Sequence, residues 1–252
     1  SHGYMPNSGF PAARRVVAER LKRDTGLPFD ENLVLMTVGC AGAMNTALKA
    51  LLDPGDEVIV PMPAFPDYQF YITNHGGRMV PVETDEDFSL DVARIEAGIT
   101  ARTSAIILNS PNNPTGVIYS EQVLRDLDSV LRKADHTIVV ISDEPYKSIV
   151  YDGAKCPEMA SVISNCMITT SWSKTWALAG ERIGYLAISP RIPGAAALSV
   201  ACNFTNRILG YINAPAIWQL VAAEAPEEMT DLAAYNEKRS LLCDGLAEIG
   251  YK

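Results

Sequence analysis

The sequence predicts an α/β protein in which a mostly parallel, seven-stranded sheet lies between two helical layers. Three observations support this fold class. Short apolar runs alternate with helix-like stretches along the 252 residues, as in layered α/β domains. Several runs are nearly continuous Val, Ile and Leu, which is typical of strands that are covered on both faces. Hydrophobic residues make up 48% of the chain, enough for the core of such a fold.

Seven segments have the composition of strands. Ligands in sheets of this kind bind beyond the carboxyl ends of the strands, so the loops that follow these segments are the expected place for a functional site. The strand candidates are residues 33–38, 57–61, 78–82, 104–108, 137–142, 166–170 and 183–188.

Helical patterns lie between the strand candidates. A helix is predicted over 11–25, since it begins at a proline and ends at Gly26. A second is predicted over 42–52, before the turn-forming sequence Asp-Pro-Gly-Asp. A third begins at the capping residue Ser120 and runs to about residue 133.

The charge and hydropathy of the chain exclude two classes of partner. The formal net charge is −9 at pH 7, whereas a nucleic-acid binder needs clustered Lys and Arg. No apolar stretch approaches the roughly 18 residues of a membrane span. We therefore expect neither a nucleic-acid nor a membrane partner.

The cysteine pattern favours a cytoplasmic protein. The five cysteines are odd in number, far apart and without a Cys-x-x-Cys pair, so neither a disulfide framework nor a metal site is expected. We interpret Cys40, Cys156, Cys166, Cys202 and Cys243 as reduced core thiols.

Two strand-end loops are rich in small or amide side chains. Residues 37–43 (Thr-Val-Gly-Cys-Ala-Gly-Ala) pass from a strand into a helix, and small side chains there let backbone N–H groups approach an anion. A plain tight turn would have the same composition. Residues 109–116 contain three asparagines, which are more donors and acceptors than an ordinary turn requires.

Two further segments carry charge. Asp143 follows an apolar strand, where a carboxylate is costly unless a cation meets it, although a helix cap would also explain it. Lys174 lies between two strands, and Arg182 follows it by eight residues. Because Trp172 and Trp176 flank Lys174, we expect its amine to be shielded from open solvent. A shielded amine has a lowered pKa and can act as a nucleophile.

Together these segments resemble the class I and II aminotransferases, which are pyridoxal-5′-phosphate (PLP) enzymes of fold type I. The resemblance rests on 113–116 (Asn-Pro-Thr-Gly), 143–146 (Asp-x-x-Tyr) and 171–174 (Ser-x-Ser-Lys) with Arg182. These motifs match in type, order and rough spacing, and the match runs from about Tyr4 to the end of the chain.

The resemblance implies roles for residues around the cofactor ring. Lys174 would form the Schiff base with PLP and later shuttle the substrate proton. Asp143 would pair with the protonated ring nitrogen, which keeps the ring an electron acceptor. Tyr146 and Asn113 would contact the ring 3-oxygen, and Phe65 would stack on the ring.

The resemblance also implies a phosphate cup and a homodimer. Backbone N–H groups at Cys40 and Ala41 would bind the phosphate. Tyr4 would reach the phosphate of the other subunit. The side chains that complete the cup would be those of Ser171, Ser173 and Arg182, whose guanidinium suits phosphate geometry.

The chain departs from the family in its substrate contacts. Ala41 stands where some aspartate aminotransferases have a lysine, and Phe65 stands where many have a tryptophan. Neither residue can donate a hydrogen bond to a distal carboxylate. Arg207 could take over that role, although a structural or surface arginine is the simpler interpretation.

The end of the sequence suggests a truncated chain. A long charged helix is predicted over 226–248 and is followed by Gly250. The chain stops two residues later. We expect 1–225 to be the PLP-binding large domain and 226–252 to lead toward a small C-terminal domain that is largely missing. The family's arginine for the substrate α-carboxylate belongs to that domain and has no match here.

The favoured function is amino-group transfer from an amino acid to a 2-oxo acid. Two alternatives stay open at this point, because a fold does not fix a function. One is a C–S lyase or decarboxylase that uses the same cofactor. The other is the ligand-sensing domain of a transcription regulator, which would follow a DNA-binding helix-turn-helix.

Overall fold

A computed structural model describes residues 3–225 and 231–251 and confirms the α/β fold class. Each predicted strand is present within two residues of its expected bounds. The strands of the described chain are β1 (Val34–Thr37), β2 (Glu57–Met62), β3 (Arg78–Glu83), β4 (Thr103–Asn109), β5 (Val139–Asp143), β6 (Cys166–Ser171) and β7 (Gly184–Ile188).

The strands form one sheet in the order β1-β7-β6-β5-β4-β2-β3. All neighbouring pairs are parallel except those of β7, which is antiparallel to both β1 and β6. Six strands therefore end at the same edge of the sheet, and β7 begins at that edge. This topology brings the loops after β1, β2, β4, β5 and β6, and the segment before β7, to one place.

Helices cover both faces of the sheet. Those of the described residues are α1 (Pro11–Thr25), α2 (Gly39–Leu51), α3 (Asp67–Asn74), α4 (Val92–Gly98), α5 (Glu121–Leu131), α6 (Met159–Val162), α7 (Trp172–Thr175), α8 (Ala195–Ile208), α9 (Ala216–Glu224) and α10 (Leu232–Glu248). Short 3-10 turns lie at Glu31–Leu33 and Ala179–Glu181.

The predicted helices are confirmed with one shift. α1 has its predicted bounds, and α5 is capped by Ser120, whose hydroxyl accepts a hydrogen bond from the backbone of Val123. α2 begins at Gly39, three residues before the predicted start, because the small residues after β1 form the first helical turn rather than a loop. The helix therefore starts directly at the edge of the sheet.

Two apolar clusters, one on each face, hold the layers together. Alternate residues of a strand point to opposite faces, so Val34 and Met36 enter one cluster and Leu35 enters the other. The first cluster includes residues of α1, α5 and α9, and the second includes residues of α2, α3 and α8. This arrangement gives the three layers that the sequence predicts.

α10 contributes contacts at the edge of the sheet that carries the loops. Residues 226–230, at the predicted start of this helix, lie outside the described residues, and the division into 1–225 and 226–252 stays a prediction. Arg239 of α10 forms two hydrogen bonds to Asp152, at 2.7 and 2.9 Å, and its guanidinium lies 4.5 Å from the ring centroid of Tyr151.

The interpretation of all five cysteines as core thiols is wrong for three of them. All five are free, but Cys40 and Cys156 are only half-buried and Cys243 is exposed. Cys40 departs from the core because it lines the functional cavity described below. Within residues 3–225 and 231–251, no helix combines the length and the apolar character that a membrane span requires. The cytoplasmic location stays a prediction.

Candidate active site

The loops at the carboxyl edge of the sheet enclose a cavity of about 370 Å³. Of the eleven residues that the sequence suggests for a site, ten line this cavity and Tyr4 does not. The ten are Cys40, Ala41, Phe65, Asn113, Asp143, Tyr146, Ser171, Ser173, Lys174 and Arg182. They come from six separate segments of the chain, which the topology of the sheet brings together.

Asp143 is the last residue of β5 and is 8% exposed. Its carboxylate accepts a hydrogen bond from the Cys40 thiol at 2.7 Å and another from the Tyr68 hydroxyl. Burial raises the pKa of the Asp143 carboxyl, and these two donors only partly oppose that effect. Among the described residues, no ion pair involves Asp143, so the cation that its position led us to expect is not supplied by the surrounding chain.

The two donors to Asp143 are neutral. Burial, and then the neighbouring Asp143 carboxylate, raise the pKa of the Cys40 thiol well above its ordinary value. The same two causes raise the pKa of the Tyr68 hydroxyl. Both groups therefore keep their protons at neutral pH and bring no positive charge to Asp143, so a cation in the cavity can pair with its carboxylate.

Asn109 ties the loop after β4 to Asp143. Its side-chain amide donates to the backbone oxygen of Asp143 at 2.9 Å and accepts from the backbone N–H of Asn113 at 2.6 Å. Burial and the Asp143 carboxylate raise the pKa of Tyr146, and the nearby Asn113 side chain partly opposes that rise. The amides of this loop thus have the specific partners that their number suggests.

Lys174 reaches the cavity from the short helix α7, which follows β6. Its amine lies 5.9 Å from the centroid of the Tyr146 ring. The expectation that two tryptophans shield this lysine is wrong, because Lys174 is exposed. The Trp172 ring packs instead against Trp176 and Tyr185, at centroid distances of 5.3 and 5.6 Å, on the apolar core.

Arg182 stands over the start of α2. Its backbone is left-handed at φ +51°, and its guanidinium donates to the oxygen of Ala179 at 2.8 Å. A Cβ atom at Gly39 would lie 2.8 Å from the Arg182 Nη2 atom, and one at Gly184 would lie 2.8 Å from the carbonyl carbon of Gly39. The two glycines therefore permit the guanidinium to approach the first turn of α2, next to Cys40 and Ala41.

The first turn of α2 has free donors. Val38 occupies the N-cap position and offers no side-chain hydrogen bond to the helix. The helix start, the hydroxyls of Ser171 and Ser173, and the guanidinium of Arg182 all border the same cavity. Helix N-termini and arginine both favour anions, so this end of the cavity can hold a phosphate.

Two residues considered from the sequence lie away from the cavity. Tyr4 is 98% exposed, although the segment behind it is anchored by the buried Gln219, which accepts from the backbone of Phe10 at 2.7 Å. Arg207 is exposed in the last turn of α8 and does not line the cavity.

Tyr68 is the most important site residue that the sequence did not suggest. It is 2% exposed, follows Phe65 by three residues in the first turn of α3, and meets the Phe65 ring edge-on at 5.6 Å. The sequence signal that could have identified Tyr68 was its position three residues after Phe65, which the resemblance already places at the site. Asp67 and Tyr71 of the same helix also line the cavity.

Comparison with known proteins agrees with this geometry. The family model for aminotransferase class I and II matches residues 1–252. A probable aspartate/prephenate aminotransferase from Thermus aquaticus is 36% identical over 251 residues, which cover 98% of this chain and 65% of that protein. An aspartate aminotransferase from Geobacillus stearothermophilus is 32% identical over 252 residues, or 98% of this chain and 63% of that protein.

The fold of a solved relative agrees as well. A crystal structure of an amino transferase from Eubacterium rectale has a TM-score of 0.95 and 37% sequence identity, and the match covers 100% of this chain and 65% of that one. The chain thus spans about 65% of the length of these relatives. With a family model over its whole length and relatives above 30% identity, this chain belongs to the class I and II aminotransferases.

Proposed function

We propose that the residues around the cavity hold PLP, the cofactor on which this family depends. PLP combines a phosphate dianion, a ring nitrogen that becomes cationic when protonated, and an aldehyde that reacts with amines. The cavity offers an anion-binding end at Arg182 and α2, a buried carboxylate with only neutral partners at Asp143, and the amine of Lys174. Each group of the cofactor therefore has a chemical counterpart in the chain.

We propose that the protein is a PLP-dependent aminotransferase that moves an amino group from an amino acid to a 2-oxo acid, with Lys174 as the covalent attachment point of the cofactor. The observation that carries this proposal is the Asp143 carboxylate, which is buried without a cation and faces a cavity that also contains Lys174. When bound, the cofactor supplies an electron sink for the α-carbon of the substrate.

The side chains would divide the work between them. Asp143 holds a proton on the ring nitrogen by charge; an ion pair at about 4 Å gains roughly 4 kcal/mol at an effective dielectric constant near 20, before desolvation is deducted. The Lys174 amine would accept the proton from the substrate α-carbon and give it back during the transfer of the amino group. Tyr146 and Asn113 orient the ring by hydrogen bonds, and Phe65 covers it.

The phosphate would be held at the other end of the cavity. The hydroxyls of Ser171 and Ser173, the guanidinium of Arg182 and the backbone N–H groups of Cys40 and Ala41 together supply the donors that a dianion requires. Such an anchor would hold the cofactor in the cavity independently of Lys174.

The proposal includes a homodimer. Tyr4 is 98% exposed and lies outside the cavity of its own chain, while the backbone just behind it is held by Asn213, which donates to the oxygen of Pro6 at 2.9 Å. An exposed tyrosine at the end of an anchored segment is suited to contact a second copy. In the dimer, Tyr4 would donate to the phosphate in the partner's cavity.

Borohydride reduction tests the attachment site. The chain is incubated with PLP, reduced, digested and mapped by mass spectrometry. We expect the reduced label on Lys174 and not on Lys147 or Lys155. A label on another lysine, or a folded chain that takes up no label, contradicts the proposal.

Product analysis tests the reaction type. The complete gene product is given a panel of amino acids with 2-oxoglutarate, and glutamate and ammonia are both measured. Aminotransfer yields one glutamate for each amino acid consumed. Ammonia in place of glutamate would identify an eliminating enzyme, and no consumption despite bound PLP would favour a sensor domain.

A further inference from the structure

Beneath the cavity lies a second, polar cavity of about 210 Å³, on the other side of the segment that follows β5. The four residues from Asp143 to Tyr146 separate the two. Asp143 and Tyr146 line the cofactor cavity, whereas Glu144 and Lys147 line the second one. Asp143 and Tyr146, which have proposed contacts to the cofactor, are thus each followed in sequence by a charged residue that lines the second cavity.

Glu144 and Lys147 form a largely buried ion pair. The Lys147 amine lies 2.8 Å from Glu144 Oε2 and 2.5 Å from Glu158 Oε2, with side-chain exposures of 22% for the lysine and 6% for Glu144. Burial lowers the pKa of Lys147, but the two carboxylates outweigh this effect and hold the pKa above its ordinary value. The lysine is therefore charged, and the pair closes a ring around the turn from 144 to 147.

Glu144 is also fixed to the sheet. Its backbone N–H donates to Thr169 of β6 at 2.8 Å, and its backbone oxygen accepts from the Thr170 hydroxyl at 3.0 Å. Its second carboxylate oxygen accepts from the Ser142 hydroxyl at 2.7 Å. Both oxygens of the side chain and both polar groups of the backbone are thus bonded, which leaves the turn little freedom to rotate.

From this geometry we infer that the Glu144–Lys147 ion pair positions Asp143 and Tyr146 against the cofactor. The inference rests on the proposed function for what these two residues contact. Neither Glu144 nor Lys147 touches the cofactor cavity, so they are positioning residues. Without the lysine, Glu144 and Glu158 are like charges with no cation between them, and the turn has to reorganise to separate or hydrate them.

The test uses Lys147→Met with Glu158→Gln as its matched control. Glu158→Gln removes a carboxylate from the same cluster but leaves the Glu144–Lys147 contact and the turn intact. A third variant, Leu124→Ala, truncates a fully buried side chain of α5 away from the site and measures the effect of lost stability alone. Lys147→Arg keeps the charge and serves as the conservative rescue.

The first readout is the reactivity of Cys40 in the chain without cofactor. Its thiol donates to Asp143 and is half-buried at the cavity wall, so displacement of the carboxylate lowers the thiol pKa and speeds alkylation. Labelling by iodoacetamide is followed by peptide mapping, with the exposed Cys243 as internal standard. We expect the Cys40/Cys243 rate ratio to rise by about fivefold or more in Lys147→Met and by less than about twofold in the controls and in Lys147→Arg.

The second readout is the dissociation constant for PLP. We expect Lys147→Met to weaken binding by about tenfold relative to Leu124→Ala. If the Cys40 ratio of Lys147→Met equals that of Leu124→Ala, the pair is merely structural and the inference is overturned, whether or not PLP binds. A raised ratio in a chain whose Lys174 takes no PLP supports the positioning role and rejects the proposed function. Should Lys147→Met not fold, Glu144→Gln breaks the same pair and is read by its PLP dissociation constant relative to Leu124→Ala, because loss of the Glu144 charge by itself lowers the pKa of the Cys40 thiol. An unchanged dissociation constant overturns the inference.

Discussion

Two sides of one cavity differ in how far folding alone prepares them. The carboxylate side combines the buried Tyr68 and Asp143 with the half-buried Cys40, and both Cys40 and Tyr68 donate hydrogen bonds to the Asp143 carboxylate. The lysine side, formed by residues 171–182, presents an exposed Lys174 on a four-residue helix and an arginine with a left-handed backbone. α10 contacts this side only lightly, through a 3.4 Å hydrogen bond from Tyr235 to the backbone oxygen of Lys174.

The difference agrees with the roles that we propose for the two sides. A charge partner for a ring nitrogen keeps one position throughout a reaction cycle, so it belongs at the rigid end of a strand. A lysine that alternately binds and releases the cofactor has to move, and an exposed side chain on a short helix can do so. Preorganisation therefore resides on the carboxylate side and adaptability on the lysine side.

The largest expected effect is on the lysine side. Lys174→Ala should remove the covalent attachment altogether and lower turnover of the complete gene product by more than about a thousandfold, because both the amine nucleophile and the proton acceptor are lost. Borohydride labelling and steady-state kinetics measure the two losses. Lys155→Ala removes an exposed lysine outside the cavity and should leave both unchanged. Substantial turnover by Lys174→Ala would assign the chemistry to another residue.

The next largest effect is on the carboxylate side. Asp143→Asn keeps the shape of the side chain but removes its charge, so the half-reaction with an amino acid should slow by about 10²–10³-fold, in line with an ion pair worth roughly 4 kcal/mol before desolvation. The label on Lys174 should remain. Stopped-flow absorbance measures the rate, with Asp244→Asn on exposed α10 as control. A rate within a few-fold of the wild type would remove Asp143 from the mechanism.

The sequence was sufficient for the parts of this comparison that depend on local pattern. Val, Ile and Leu runs located the strands, and since parallel strands end at one edge, Asp143 and Lys174 could be placed together without coordinates. The motif residues on both sides line the cavity as the resemblance implies.

Parts that depend on packing between distant segments could not be predicted. The hydrogen bond from Tyr68 to Asp143 joins residues 75 positions apart, and only the orientation of α3 brings them into contact. The exposure of Lys174 was missed because Trp172, two residues before it in sequence, packs on the core and does not cover the amine. The ion pair between Glu144 and Lys147 was missed because charged residues beside a proline are typical of a solvated turn, and the sequence does not show that these two are buried.

A backbone change at the junction of the two sides should have an intermediate effect. Gly39→Ala places a side chain at φ +74° and within 2.8 Å of the Arg182 guanidinium. The strain and the displaced arginine should cost about 1–3 kcal/mol of PLP binding free energy, or roughly tenfold to a hundredfold in affinity. Gly245→Ala in α10, where a Cβ meets nothing within 4 Å, is the matched control. Fluorescence titration with PLP gives both values, and equal affinities would show that Arg182 does not bind the phosphate.

A smaller effect concerns the substrate. Ala41 and Phe65 line the cavity without a donor for a distal carboxylate, so apolar and aromatic amino acids should compete well with aspartate. Ala41→Lys should raise kcat/KM for aspartate relative to phenylalanine by about tenfold, and Ala41→Met, of similar length without charge, should not. A donor panel on the complete gene product measures the ratios. A wild-type enzyme that strongly prefers aspartate would place a carboxylate-binding group elsewhere.

The smallest effect is on the free energy of unfolding. The direction in which this energy changes with pH tests whether Asp143, on the carboxylate side, is a buried charge that faces the cofactor. Burial raises the pKa of Asp143 in the folded chain, so the stability it contributes is fully present below the ordinary carboxyl pKa and is lost as the pH rises through the folded-state pKa. Asp143→Asn cannot titrate. Without cofactor, its free energy of unfolding should therefore improve relative to wild type as the pH rises above the ordinary carboxyl pKa of about 4, as urea denaturation measures. Asp87 should show the opposite pH dependence, because hydrogen bonds from Ser89 lower its pKa. The free energy of unfolding of Asp87→Asn should therefore fall relative to wild type as the pH rises from acid.

Saturating PLP should reverse the order of stability of wild type and variant at Asp143 alone, since the bound cation makes the ionised carboxylate favourable. If PLP stabilises Asp143→Asn as much as wild type, the buried charge does not face the cofactor, and the carboxylate side has another purpose.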